Sequence, residues 1–285
     1  MPVKVVTDSA SDLPLELAKS LGITVVPVKV IFGEKTFKDG VEIAPDDFYK
    51  RLIDGPVMPT TSAPSIGDFV EAYERVAKDA DAIVSVHVSS KVSGTYNAAN
   101  QAKSEAKVSC PIEVIDTFQA SLGLAMVAIA AAWAANRGAP VSEVVSVANS
   151  AMGRAQCIAL FDTLEFLQKG GRIGKAQALL GTILKIKPMI IVRDGEVQPL
   201  GKARTFAKGV AALEEAARGY APIEELCVAY CTDPQIAHEI AGRLKDLLPV
   251  RKEPFVARFG PGVGTHVGPG AVGIGLLKAD GARPS

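Results

Sequence analysis

The chain has 285 residues, about twice the usual size of one domain, so two ordinary domains are expected. With 48% hydrophobic and 22% charged residues it has the apolar mass for a real core, which excludes a disordered or fibrous chain. Thirty-one basic residues cancel thirty-one acidic ones, so no global field exists to hold a nucleic acid or an anionic membrane surface.

The opening MPVKVVTDSASD turns polar after five residues and lacks the long apolar core of a signal peptide. Apolar runs at 3–6, 23–31, 82–88 and 112–115 read as strands, with helical patterns between them. That alternation predicts βαβ units around a mainly parallel sheet. The first helix stops at Gly22. The next carries Ile66, Phe69, Val70, Tyr73, Val76 and Ala77 on one face, and Ser62 is placed as its cap. The run LGLAMVAIAAAWAA at 122–135 is too short for a bilayer core of about 30 Å and reads as a buried helix ending before Gly138. A boundary is set between 147 and 148, giving an N-terminal parallel α/β domain, 1–147, and a C-terminal mixed α/β domain, 148–285. In the second domain, a strand at 157–161 precedes the basic, glycine-containing LQKGGRIGKAQALLGTILKIKP. Apolar runs around Asp194-Gly195 then predict a hairpin. Two amphipathic helices follow, each leading into a strand, at 226–231 and 255–259. Cys110, Cys157, Cys227 and Cys231 form no C-x-x-C pair and are expected to be reduced core residues of a cytoplasmic protein.

Several catalytic signatures fail by letter. Gly268-Pro269-Gly270-Ala271-Val272-Gly273 matches G-x-G-x-x-G, but no βαβ unit follows to hold a dinucleotide. No lysine stands in a P-loop, so no triphosphate cradle is written here. His238-Glu239 has Gly242 where a second zinc-binding histidine would be, and Ser93 has Lys91 where a nucleophile elbow needs glycine. Three histidines and no Cys/His cluster predict no metal site.

What survives is a set of hydroxyl clusters: TDSASD at 7–12, PTTSAPS at 59–65 and SSKVSGT at 89–95. Each is placed at a strand-to-helix junction, where free N–H groups and the helix dipole favour an anion. Taken singly, each cluster is also what a helix cap prefers. Thr61 and Ser93 are the leading anion-site candidates, with Ser62 and Gly94 as neighbours. His266, in the glycine-rich FGPGVGTHVGPG, is a third, and His87 reads as strand packing. An alternative from another class is a hydrolase or phosphotransferase using Ser93 or Ser9 as nucleophile and Asp8 or His266 as base.

VTDSASDLP, PTTSAPS, SSKVSGTYNAA, LEFLQKGGRIG and GPGVGTHVGPGAVG, in that order, resemble the DegV family of fatty-acid-binding proteins across essentially the whole chain. The resemblance implies a long-chain fatty acid as ligand, held in a tunnel between two α/β domains, with no cofactor. Its carboxylate would be met by Thr61, Ser93 and His266; pairing with an anion favours the protonated imidazole, so the histidine is expected to act as a charged donor. It also implies a carrier and not a catalyst, presenting the acid to a separate fatty acid kinase for phospholipid synthesis, with Arg172 and Arg204 docking that kinase. Ala63 departs from the glutamine expected in the second motif. Neither nucleic acid binding nor stable membrane insertion is expected.

Overall fold

The computed structural model describes residues 2–180 and 186–280. Its first half runs β1 (Val3–Asp8), α1 (Leu15–Leu21), β2 (Ile23–Val26), β3 (Lys29–Phe32), β4 (Lys35–Lys38), α2 (Pro45–Asp54), β5 (Thr60–Ser62), α3 (Ile66–Val76), β6 (Ala82–His87), α4 (Thr95–Glu105), β7 (Ile112–Asp116), α5 (Leu122–Asn136) and α6 (Val141–Arg154). The second half runs β8 (Ala155–Leu160), α7 (Glu165–Lys169), β9 (Lys187–Arg193), β10 (Glu196–Ala203), α8 (Phe206–Arg218), β11 (Ile223–Tyr230), α9 (Pro234–Leu244), β12 (Phe255–Arg258), α10 (Pro261–Val267) and β13 (Val272–Lys278).

The fold is α/β. Strands β2-β1-β6-β7 form an all-parallel sheet, and β10-β9-β8-β13-β11-β12 form a mixed sheet in which only β11 and β12 run parallel. Helices α3 and α4 cover the outer face of the parallel sheet, and α8 and α9 that of the mixed one. Between the sheets lies α5, touching β1 and β6 on one side and β8 and β13 on the other. A helix with apolar residues all round must be buried all round, and 13 of its 15 residues are. No helix among the described residues is long and apolar enough to cross a membrane.

The hairpin forms as the Asp-Gly pair requires: Asp194 and Gly195 have φ of 54° and 79°, a turn whose twist matches that of the flanking strands. All four cysteines are free. The basic glycine-containing segment includes 181–185, which lie outside the described residues, as do 281–285.

Some local expectations are corrected. The run 23–31 is two strands in two sheets, because Pro27 has no N–H to donate to a ladder. The chain leaves the parallel sheet there, and β3 pairs with β4 and β5 in a small antiparallel sheet. Ser65, not Ser62, caps α3. It closes a capping box in which its hydroxyl accepts from the Asp68 N–H and the Asp68 carboxylate accepts in return from the Ser65 N–H. The division between 147 and 148 is not one of these and stays an expectation; both residues lie in α6, between the last strand of the parallel sheet and the first of the mixed one.

Candidate functional site

The loops after β1 and β6 emerge at the carboxyl edge of the parallel sheet, where ligand sites of such sheets gather. Thr61 reaches the same region by another route, since it lies within β5 of the small sheet and not at a junction of the parallel one. His266 is on a short helix, α10, and not in a loop. Pro261 at its first position has no N–H for the helix to leave unpaired.

Two buried carboxylates hold the start of that helix. The Gly260 N–H donates to Asp12 Oδ1 at 2.8 Å, and the Gly262 N–H donates to Asp39. Ser121 and Ser9 hydroxyls complete the two carboxyls, at 2.5 Å to Asp12 and 2.7 Å to Asp39. Burial raises both pKa values, Asp12 well above its ordinary range and Asp39 to about 6. Glycine is needed where α10 meets α2, because a Cβ on Gly264 would stand 2.7 Å from Phe48 Cε1.

So held, the His266 ring lies in a cavity wall with Nε2 2.9 Å from Thr61 Oγ1. Its Nδ1 is buried without a partner against Gly170, where a Cβ would come within 2.2 Å of it. Burial, then the neighbouring Arg172 charge, lowers the imidazole pKa to about 4. Those two effects favour the neutral ring at neutral pH, and an anion placed against the ring would oppose them. One nitrogen carries a proton and can donate; the other accepts.

Ser93 lines the same cavity, its Oγ 2.8 Å from Thr95 Oγ1 and accepting from the Thr95 N–H at the start of α4. Ser62 and Gly94 also line it, and bare Gly94 leaves the space beside Ala63 open. Arg172 is half-buried in the wall, its Nε donating to Val92 O at 3.1 Å and a terminal nitrogen to Gly170 O at 2.6 Å. Arg204, two residues before α8, is exposed. Most of the remaining wall is apolar and comes from both halves of the chain, with Val28, Val88 and Val92 facing Phe161, Ile190 and Val192. The cavity and its mouth together take up about 1030 Å³ of space. The strand residues of β9 and β10 in this wall were not marked by any motif. Their only signal was an apolar hairpin.

Among the described residues no hydrogen bond joins Ser93 or Ser9 to His266 or to the Asp8 carboxylate. Ser9 donates to Asp39, and Asp8 is occupied by His87 Nδ1 at 2.9 Å and by the Ala10 and Val88 N–H groups. His266 Nε2 faces Thr61. Ser85, His87 and Asp8 do form a hydrogen-bonded row, with Ser85 Oγ 2.7 Å from His87 Nε2, yet all three are fully buried in the core, out of reach of a substrate. No cluster of residues that could hold a metal ion occurs among the described residues.

Parallel and mixed sheets flanking a shared apolar helix, beside a small antiparallel sheet and with a cavity lined by both halves, define an α/β protein with a candidate site between its two main sheets. The chain belongs to the DegV family: the sequence profile described as "Uncharacterised protein, DegV family" matches residues 2–279. A DegV domain-containing protein of Streptomyces coelicolor is 39% identical over 277 residues, covering 95% of this chain and 97% of the relative. Among solved structures, a DegV family protein from Thermus thermophilus, described for its fatty acid binding, superposes with a TM-score of 0.89 at 33% identity, covering 98% of this chain and 100% of the other. A stearic-acid-binding protein from Eubacterium ventriosum superposes with a TM-score of 0.88 at 28% identity, covering 96% and 98%.

Proposed function

We propose that this protein binds a long-chain fatty acid, the tail in the apolar cavity and the carboxylate against Thr61, Ser93 and His266. The observation that carries this reading is the wall itself: an apolar cavity in which hydroxyls and an imidazole lie beside the Thr61–His266 hydrogen bond. A buried carboxylate without partners costs several kcal/mol; the Thr61–His266 pair, which spends one proton on its own hydrogen bond, and the Ser93 hydroxyl supply two donors without a metal. The fatty acids bound by the Thermus thermophilus and Eubacterium ventriosum proteins support the same class of ligand.

Native mass spectrometry of protein purified from a bacterial host tests it. A co-purified long-chain acid is the expected result. Thr61→Val and Ser93→Ala are each expected to weaken binding by about 1–3 kcal/mol, because each removes one donor from a buried carboxylate. Wild-type lipid occupancy in the double variant would remove these residues from the head-group site. Turnover of an ester or phosphate that is lost in Ser93→Ala would instead make the protein an enzyme.

The protein is a carrier that presents the carboxylate to a separate fatty acid kinase. Of the two arginines that the family resemblance assigns to docking, Arg204 is the one on the surface, and a guanidinium fork there suits a partner's carboxylates. Arg204→Ala is expected to leave lipid content unchanged and to slow kinase-dependent acyl phosphate formation. Unimpaired turnover with the cognate kinase would refute that role.

A further inference from the structure

The cavity wall contains one permanent cation. Among the described residues that line it, Arg172 is the only lysine or arginine, and it forms no ion pair with any described carboxylate. Its nearest acidic neighbour in the wall, Glu196, is matched by Lys175 at 3.3 Å. A half-buried guanidinium with no described carboxylate beside it favours an anion in the cavity it lines.

Two backbone carbonyls aim the side chain. Val92 O, which accepts from Nε, belongs to the residue before Ser93, and Gly170 O, which accepts from a terminal nitrogen, belongs to the residue packed on the His266 ring. The guanidinium is thus tied to the chain neighbour of Ser93 and to the backbone that packs on the His266 ring. A guanidinium has five N–H groups in a fixed plane, and these two bonds engage two of them. Among the described residues nothing else takes the remaining donors, and no carboxylate matches the charge.

From this placement we propose that Arg172 is the counter-charge for the bound carboxylate, with Thr61, Ser93 and His266 serving as neutral donors that orient it. The proposal rests on the fatty-acid reading and adds to it the source of charge complementarity. It also explains why the cavity should take an acid and not the equally apolar alcohol or ester. Neutral donors already bond an anion more strongly than an alcohol or ester, and a fixed positive charge adds a preference that only the anion receives. Burial is the main cause of the low imidazole pKa, and the arginine's field adds to it by disfavouring a second positive charge nearby.

The experiment compares palmitic acid with 1-hexadecanol on delipidated protein, for the wild type, Arg172→Gln and Arg172→Lys. Wild type is expected to prefer the acid. Arg172→Gln is expected to lose about 10- to 100-fold in acid affinity, the scale of a hydrogen bond to a charged group, with alcohol affinity unchanged. Arg172→Lys should retain part of the preference, because it keeps the charge and loses the fork. Unaltered discrimination in Arg172→Gln overturns the proposal alone. Equal losses for acid and alcohol also overturn it, since they would make Arg172 a brace for the wall. A wild-type protein that binds neither ligand overturns the fatty-acid reading and this proposal with it.

Discussion

Asp8→Ala is expected to lower the stability of this protein by about 3 kcal/mol or more and to reduce lipid occupancy with it. The carboxyl of Asp8 accepts from three donors that have no other partner: the Ala10 N–H at 3.1 Å, the Val88 N–H at 3.1 Å and His87 Nδ1 at 2.9 Å. Beyond His87 the bonds continue through Ser85 to the Tyr73 hydroxyl, 2.9 Å from Ser85 Oγ, and so brace α3 against the parallel sheet. Asp8 itself is fully buried, so its removal leaves these donors unsatisfied at about 1–3 kcal/mol each, less whatever water enters. Ala10 and Val88 both line the cavity, which is why the same change reaches the ligand. Denaturant unfolding monitored beside lipid content checks both effects. A loss below about 1 kcal/mol would mean the three donors find other partners.

Gly275→Val is expected to destabilise by at least the 1–3 kcal/mol usual for overpacking a close-packed core. A Cβ on Gly275 would lie 2.3 Å from Leu122 Cβ and 3.2 Å from the Leu122 carbonyl carbon, so no rotamer change relieves the clash. Helix α5 would have to lift from β13. The first turn of α5 follows Ala120 and Ser121, both in the cavity wall, so a shift there enters the site. Gly242→Ala is the internal control. It is exposed in α9 with nothing within 4 Å of the added Cβ, and there alanine should stabilise by roughly 0.5–1 kcal/mol. An unfolding midpoint for Gly275→Val equal to that of wild type would show that α5 and β13 are more loosely packed than these distances say.

Where local chemistry is decisive, the chain could be read without coordinates. The stripe Ile66, Phe69, Val70, Tyr73 became α3 because a 3.6-residue period has one geometric reading, and Asp194-Gly195 became a turn because positive φ at both central residues is what that pair tolerates. The uninterrupted apolar character of 122–135 likewise implied burial on every side. Elsewhere competing local signals were closer: Ser62 and Ser65 are both acceptable caps, and Asp68, three residues past Ser65, settles the choice through the capping box.

The ligand class and the names Thr61, Ser93 and His266 came from composition, motif order and family resemblance, all properties of the linear chain. Their arrangement did not. Thr61 and His266 are 205 positions apart when they share a hydrogen bond, and Arg172 and Val92 are 80 apart. No residue spacing encodes such closures, so the same GGRIG reads equally well as a surface loop or as part of a pocket wall. The charge on His266 was also beyond local reading, because an imidazole's pKa is set by what desolvates it and by the nearest fixed charge, here burial and Arg172. Asp12 and Asp39 show the same limit: each looks like an ordinary loop acid until the fold buries it beneath the start of α10. Periodicity and turn chemistry act over a few residues and survive translation into structure, whereas burial and electrostatics are sums over neighbours that exist only after the chain has closed on itself.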